Sequence, residues 1–289
     1  MLALNREEMK APWVEQAPTF EQLALQKDDD LDVALGAALI ARDVYPEIDV
    51  AEVLGRIDEL AGPIADARFG ERSSHGQADG LAHHLYDACG FAGNEADYYD
   101  PKNSLLPDVL DRRLGIPISL ALIYCEVAKR AGITARGVAF PGHFIVRIET
   151  PGEEALFVDP FFGGRALDYP GLRKILTRVT GDERPVLPQY LEAASPRGML
   201  VRMLVNLRAI YLSRGDMARA MLAVDRVICL TPDAPEPLRE RGLLSMRLGA
   251  MEAAKSDLER FLELVPDAQD APAIRARLKE LRAKPRATN

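Results

Sequence analysis

The sequence predicts an α+β domain, a buried helix on a small antiparallel sheet, followed by an all-α array of helical hairpins. Three observations carry this. Residues 116–131 are apolar at almost every helical angle, broken only by Glu126, Lys129 and Arg130 near the end, and a helix apolar all round is a buried one. Three strand-like runs follow at once, over 134–140, 143–149 and 155–159. Towards the C-terminus, Gly215, Ala220 and Pro232 recur 34 residues later as Gly249, Ala254 and Pro266, a spacing at which helix–turn–helix units repeat.

Composition narrows the function classes. The 289 residues leave room for roughly two domains, and 48% hydrophobic with 28% charged residues is ordinary for a globular chain. A net charge of −8 argues against broad attraction to nucleic acid or anionic membrane, so neither is an expected partner. The opening MLALNREEMK carries acids and no long apolar stretch, so no secretory signal is expected. Cys89, Cys125 and Cys229 stand in separate apolar contexts without a C-x-x-C. That is neither a disulfide framework nor a zinc site; a cytoplasmic location without metal or cofactor is the expectation.

In chain order, residues 1–20 carry Pro12 and Pro18 and no clear period, which predicts a lead-in arm. Asp28, Asp29 and Asp30 predict an acidic helix start before LDVALGAALIARDVY, whose apolar positions share one face. Asp49 predicts the cap of a second helix over 50–70, bent or ended at Gly62 and Pro63. A third helix over 78–89 stops at Gly90, with His75 in a loop before it. His83 and His84 are adjacent on that helix and cannot face one ligand together. The polar turn 94–103 holds Asn94, Asp97, Tyr98, Tyr99, Asp100 and Asn103, and Pro101 rejects helix at Asp100. It reads either as turn chemistry or as the rim of a site. Ser104 predicts the N-cap of a short helix over 105–114, with Arg112 and Arg113 either binding an anion or pairing with Asp108 and Asp111.

The central helix comes next, its 16 residues spanning roughly 24 Å. It is too short, and too charged at its end, for a bilayer span. Pro117 sits one step inside its start, where a missing N–H costs nothing, and Gly132 is its C-cap. After the third strand, Gly163 and Gly164 turn the chain into a further helix. Pro185, Pro188 and Pro196 mark 185–197 as a linker between residues 1–184 and 198–289.

The array has two copies, 198–232 and 233–266. Leu207, Tyr211, Gly215, Asp216, Ala220, Val224, Val227 and Pro232 in the first, and Gly242, Gly249, Ala254, Leu258, Phe261 and Pro266 in the second, make it resemble the tetratricopeptide repeat. Small residues stand where paired helices touch, and Met199, Met203, Met217, Met221 and Met251 are expected in the core. Residues 271–283 would be the capping helix such stacks need. Repeats of this kind imply a protein or peptide partner; a homodimer interface is the weaker reading.

GFAGNEADYYDPKNS, RRLGIPISLALIYCEVAKRAGI, FPGHFIVRIE and FVDPFFGG, in that order, resemble the SirB-type, transglutaminase-like family, in which such a domain precedes tetratricopeptide repeats. The resemblance implies a papain/transglutaminase-like core and a bacterial regulatory role. Active members of the wider superfamily set a cysteine at the start of the central helix, a histidine on one strand and an aspartate on the next. A helix N-terminus lowers a thiol pKa, an imidazole takes the proton, and a carboxylate orients the imidazole. By this resemblance His143 and Asp159 hold the histidine and aspartate positions, and Pro117 stands where the cysteine should be. Cys125 lies about 12 Å further down the axis and about 80° round, where a buried thiol is inert; Ser119 is turned about 200° away. A pseudoenzyme that binds protein or peptide is therefore the expectation. His143 and Asp159 would then either fix adjacent strands by their hydrogen bond or form a residual pocket with the 94–103 loop and the helix start. The alternative is a hydrolase or transferase acting on amide bonds through His143, Asp159 and a displaced nucleophile.

Overall fold

The apolar run does form the centre of the structure. In the computed structural model, which describes residues 18–283, it is helix α6, Pro117–Arg130, and eleven of its fourteen residues are buried, as a helix without a polar face requires. The late charges are accommodated: Arg130 Nη1 meets the buried Glu126 at 2.6 Å and its Nε meets Asp58 at 2.5 Å. The expected arm over 1–20 lies almost wholly outside the described residues.

The chain divides into two compact units between Met203 and Leu204. The first opens with helices α1, Phe20–Ala24, α2, Val33–Arg42, α3, Val50–Asp66, and α4, Ser74–Ala82, which runs on as a π turn, His83–Ala88. Asp32 and Asp49 cap α2 and α3 by accepting the amides of Leu35 and Ala51. Asp28–Asp30 form a separate 3-10 turn and not the helix start; Asp28 accepts the amide of Arg197. Helix α3 does not end at Gly62 and Pro63. Its buried face continues from Ile57, Leu60 and Ala61 to Ile64, so packing holds one more turn beyond the proline. His75 lies in the first turn of α4, not in a loop.

Short strands β1, Ala92–Gly93, and β2, Leu114–Gly115, pair in parallel and bracket helix α5, Leu106–Arg112. Leu105 is the N-cap of α5, and the buried Ser104 hydroxyl has no partner among the described residues; the expected serine cap is absent because the helix begins one residue later. Arg112 pairs with Asp100 at 2.8 Å and Arg113 lies over the Phe91 ring, while Asp108 and Asp111 go to Tyr45 and Arg56. The arginines therefore do not take the acids nearest in sequence.

After α6 comes a four-stranded antiparallel sheet in chain order: β3, Thr134–Val138, β4, Ile145–Glu149, β5, Leu156–Asp159, and β6, Arg165–Leu167. Three strands stand where the sequence placed them; β6 adds a fourth. Side chains alternate across a strand. Val138 and Ile145, with Phe140, pack against Leu172 and Leu176 of helix α7, Tyr169–Thr180, and against Val186, Tyr190 and Leu191 of the segment read as a linker. Val146, Ile148 and Val158 are left for the face on which α6 lies, and all three are fully buried.

Helix α8, Pro196–Ser213, runs across the division between the units. Its first turn is tied within the first unit by Arg197, whose guanidinium donates to the Ala24 and Gln26 carbonyls. The second unit continues with α9, Met217–Leu230, α10, Pro235–Arg247, α11, Met251–Leu264, and α12, Ala271–Ala283. The signature residues act as packing predicts: Ala220 and Ala254 are fully buried, and a Cβ on Gly242 would sit 2.7 Å from the Leu258 side chain. Met251 departs from the expected core and is 43% exposed.

One tie in this unit has no counterpart in the repeat pattern. Arg241 of α10 donates Nε and Nη2 to Asp257 of α11, both at 2.7 Å, and Nη1 to Asp225 of α9 at 2.9 Å. Asp257 is almost buried, so its charge depends on that fork. Asp257→Ala is expected to destabilise the protein by roughly 1–3 kcal/mol, below the full cost of breaking a buried pair because Arg241 reaches solvent. Urea denaturation followed by circular dichroism measures it; an unchanged midpoint would remove the tie from any role in stability.

Candidate functional site

The head of α6 is closed by side chains and main chain together. Ser119 Oγ accepts the Ile116 amide at 3.0 Å and donates to the Asn103 carbonyl at 2.5 Å. Ile116, the N-cap, has no capping side chain of its own; its amide goes to Ser119 Oγ and, at 3.4 Å, to the Asn103 carbonyl. The Ser119 hydroxyl is thereby used on both sides. Pro117 occupies the first helical position and brings no reactive group.

His143 ends a tight turn in which its amide bonds the Phe140 carbonyl. Gly142 precedes it at φ +67, and a Cβ there would come 2.3 Å from Val179, so both conformation and space call for glycine. Asp159 ends β5. Its carboxylate receives His143 Nε2 at 2.9 Å on both oxygens, and Oδ1 also accepts the Phe161 amide at 3.0 Å. The side chains of this pair are only 11% and 3% exposed. In a neutral imidazole, an Nε2 turned to a carboxylate is the nitrogen that carries the hydrogen, and the lone pair falls to Nδ1. Nδ1 has no hydrogen-bond partner among the described residues.

Aromatic rings frame the imidazole. Phe162 stacks on it at 6.2 Å and Phe161 meets it edge-on at the same distance. Tyr98 meets Phe161 at 5.9 Å and Tyr99 at 5.3 Å, so the 94–103 loop reaches Phe161, one ring removed from the histidine. Burial pushes the Tyr98 phenol up, with Arg202 opposing. The other residues of the loop serve the loop. Asn94 and Asn103 are buried and bonded to each other. Asn103 Nδ2 donates to the Asp97 and Tyr98 carbonyls, and Asp100 caps the next turn and pairs with Arg112.

Cys125 is not joined to His143 by any hydrogen bond among the described residues. It is half-buried on the second half of α6, beside Leu122, Gly137 and Met199. Burial pushes its thiol well above the ordinary thiol range, and Glu126 adds to the rise. The remaining histidines lie apart: exposed His83 pairs with Asp87, and His84 Nε2 bonds the Leu60 carbonyl at 2.7 Å with Cys89 Sγ at 3.8 Å. A nitrogen that gives its hydrogen to a carbonyl has no lone pair for a thiol proton. Among the described residues, no group of three or more His, Cys, Asp and Glu could hold a metal ion.

One neighbour of the pair escapes sequence reading. The π turn carries Tyr86 against Gly164, where a Cβ would stand 2.7 Å from the ring. Its phenol is pushed well above the usual range by burial, then by the negative ends of Tyr124, Asp159 and Cys125. The one signal was the paired glycine after V-D-P-F-F, whose second member leaves room for the ring.

A profile of the transglutaminase-like superfamily matches residues 51–205, the helices, sheet and histidine–aspartate pair just described, and a tetratricopeptide-repeat profile matches 207–279. A UPF0162 protein of Xylella fastidiosa (strain 9a5c) is 39% identical over 272 residues, covering 91% of this chain and 95% of that one. This chain belongs to the UPF0162 family. Another UPF0162 protein, from Pseudomonas aeruginosa, is 35% identical over 245 residues, 85% of this chain and 89% of its own. Among solved structures, menin crystallised to show its binding site for the Mixed Lineage Leukemia protein aligns at TM-score 0.34 and 10% identity, over 83% of this chain and 67% of that one. The UPF0162 chain thus joins a transglutaminase-like domain to repeats of a kind that makes protein contacts, as the SirB-type resemblance implied.

Asn103 holds the loop main chain at Asp97 and Tyr98, and this can be checked. Asn103→Ala removes two donors and orphans the Asn94 amide, a cost of roughly 1–3 kcal/mol. Amide exchange over residues 95–100 is expected to accelerate while that of α6 stays slow; unchanged loop exchange would contradict the assignment.

Proposed function

We propose that this UPF0162 protein is a non-catalytic, protein-binding regulator of the bacterial cytoplasm. Its transglutaminase-like domain keeps the acid–base half of an amide-cleaving apparatus and lacks the attacking half, and its repeats take a protein or peptide segment. The state of the helix head carries this reading. Proline stands at the first position, the nearby hydroxyl is committed to Ile116 and Asn103, and the thiol of the helix is held protonated by burial. A thiol protonated at neutral pH is a poor nucleophile.

The hydrogen-bonded pair of His143 and Asp159 favours a second reading, because an oriented imidazole is what a general base requires. The alternative is a hydrolase or transferase on amide bonds, with Cys125 as displaced nucleophile or with a bound water. Thiol labelling separates the two. In a Cys89→Ser, Cys229→Ser background, Cys125 is expected to react with a disulfide reagent at pH 7 at least roughly tenfold more slowly in the native protein than in urea. Rapid native labelling that is lost in His143→Ala would sink the regulator and establish a thiol catalyst. His143→Ala is further expected to leave capture of partner proteins by the repeats unchanged.

A further inference from the structure

Strand β3 is an edge of the sheet, and its outer side opens on a cleft of about 820 Å³. The register with β4 sets Ala135 opposite Ile148 and Gly137 opposite Val146. In an antiparallel ladder, alternate residues turn N–H and C=O towards the partner strand and the others turn both away. The Gly137 carbonyl accepts the Ala194 amide at 2.8 Å, which places Gly137 in the outward set. Ala135, two residues earlier, therefore turns its own N–H and C=O outward. Neither has a backbone partner among the described residues.

The cleft beside this edge has a definite character. On the α6 side of the sheet β3 contributes only Ala135 and Gly137, which leaves space in front of Leu122 and Cys125 of α6 and Met199 of α8. Among the charges lining it, Glu126 is already neutralised by Arg130. Lys129 and Arg136 then stand against Asp29. Arg136 is 61% exposed and holds Glu149 only at 3.6 Å, while Arg147 holds that carboxylate at 2.9 Å.

We propose that β3 takes an extended peptide of a partner protein as a fifth strand. An unpaired N–H and C=O on one residue are matched by the main chain of another extended segment, and Ala194 already makes the first rung. The residue facing Ala135 sets an aliphatic side chain between Leu122, Cys125 and Met199. Its neighbour, on the opposite face with Arg136, is acidic. The site shares no lining residue with the His143 pair, and stands whether or not the protein is catalytic.

A phage-displayed library of random ten-residue peptides, selected on the full-length protein, tests this. Recovered sequences are expected to set an aliphatic residue beside an acidic one, and their synthetic copies to bind about tenfold more weakly to Ala135→Pro. Proline deletes the outward N–H and is tolerated at a sheet edge, since the inner rungs of Thr134 and Arg136 remain. Cys125→Phe, which fills the cleft without touching the main chain, is expected to lose the same peptides. In the wild-type protein, which needs no variant to fold, bound peptide is expected to slow exchange of the Ala135 amide. Peptides that leave that amide unprotected, or a library that yields none, overturn the proposal. So does a concentration-dependent dimer that Ala135→Pro dissolves, since a second copy would then be the occupant.

Discussion

The structure depends on the bonds at the head of the buried helix. Ser119 joins Ile116 to Asn103 there, and Asn103 in turn holds the carbonyls of Asp97 and Tyr98. Three consecutive parts of the chain are thereby fixed to one point: the loop whose Tyr98 meets Phe161, the turn leading into α5, and the helix that organises the core. A buried helix end left unsatisfied would cost several donors at once, which explains why a small hydroxyl residue stands at 119 and why it is not free for chemistry.

Much of this was legible in the residues because the strongest signals are also the most local. An all-round apolar run admits one environment, and a 34-residue recurrence of Gly, Ala and Pro admits few architectures. The SirB-type resemblance led to His143 and Asp159, and the structure sets them 2.9 Å apart. What stayed hidden was non-local or weak. Strand β6 is three residues long with Arg165 and Ala166 exposed, too short to show alternation. Arg112 chose Asp100 over its neighbours because the turn folds back beneath α5. Pro63 did not break α3, since apolar contacts on Ile64 outweigh one lost hydrogen bond near a helix end. The 94–103 loop was divided between two roles, and its residues divide the same way: asparagines inward as staples, tyrosines outward towards Phe161.

Tyr86 shows the limit most clearly. A π turn widens the helix by one residue per turn and rotates every later side chain, so no periodicity read from HHLYDACG could place that ring beside Asp159. Such turns are frequent at functional positions. Here it carries a phenol that burial keeps protonated and that feels the charge of Asp159.

The ring at position 117 has a consequence for the main chain. The opening amides of a helix point outward and stabilise an anion that forms against them; an imino acid contributes none. At its first position the buried helix therefore offers neither a side-chain donor nor an amide, and any anion held at its head would rest on the amides that follow.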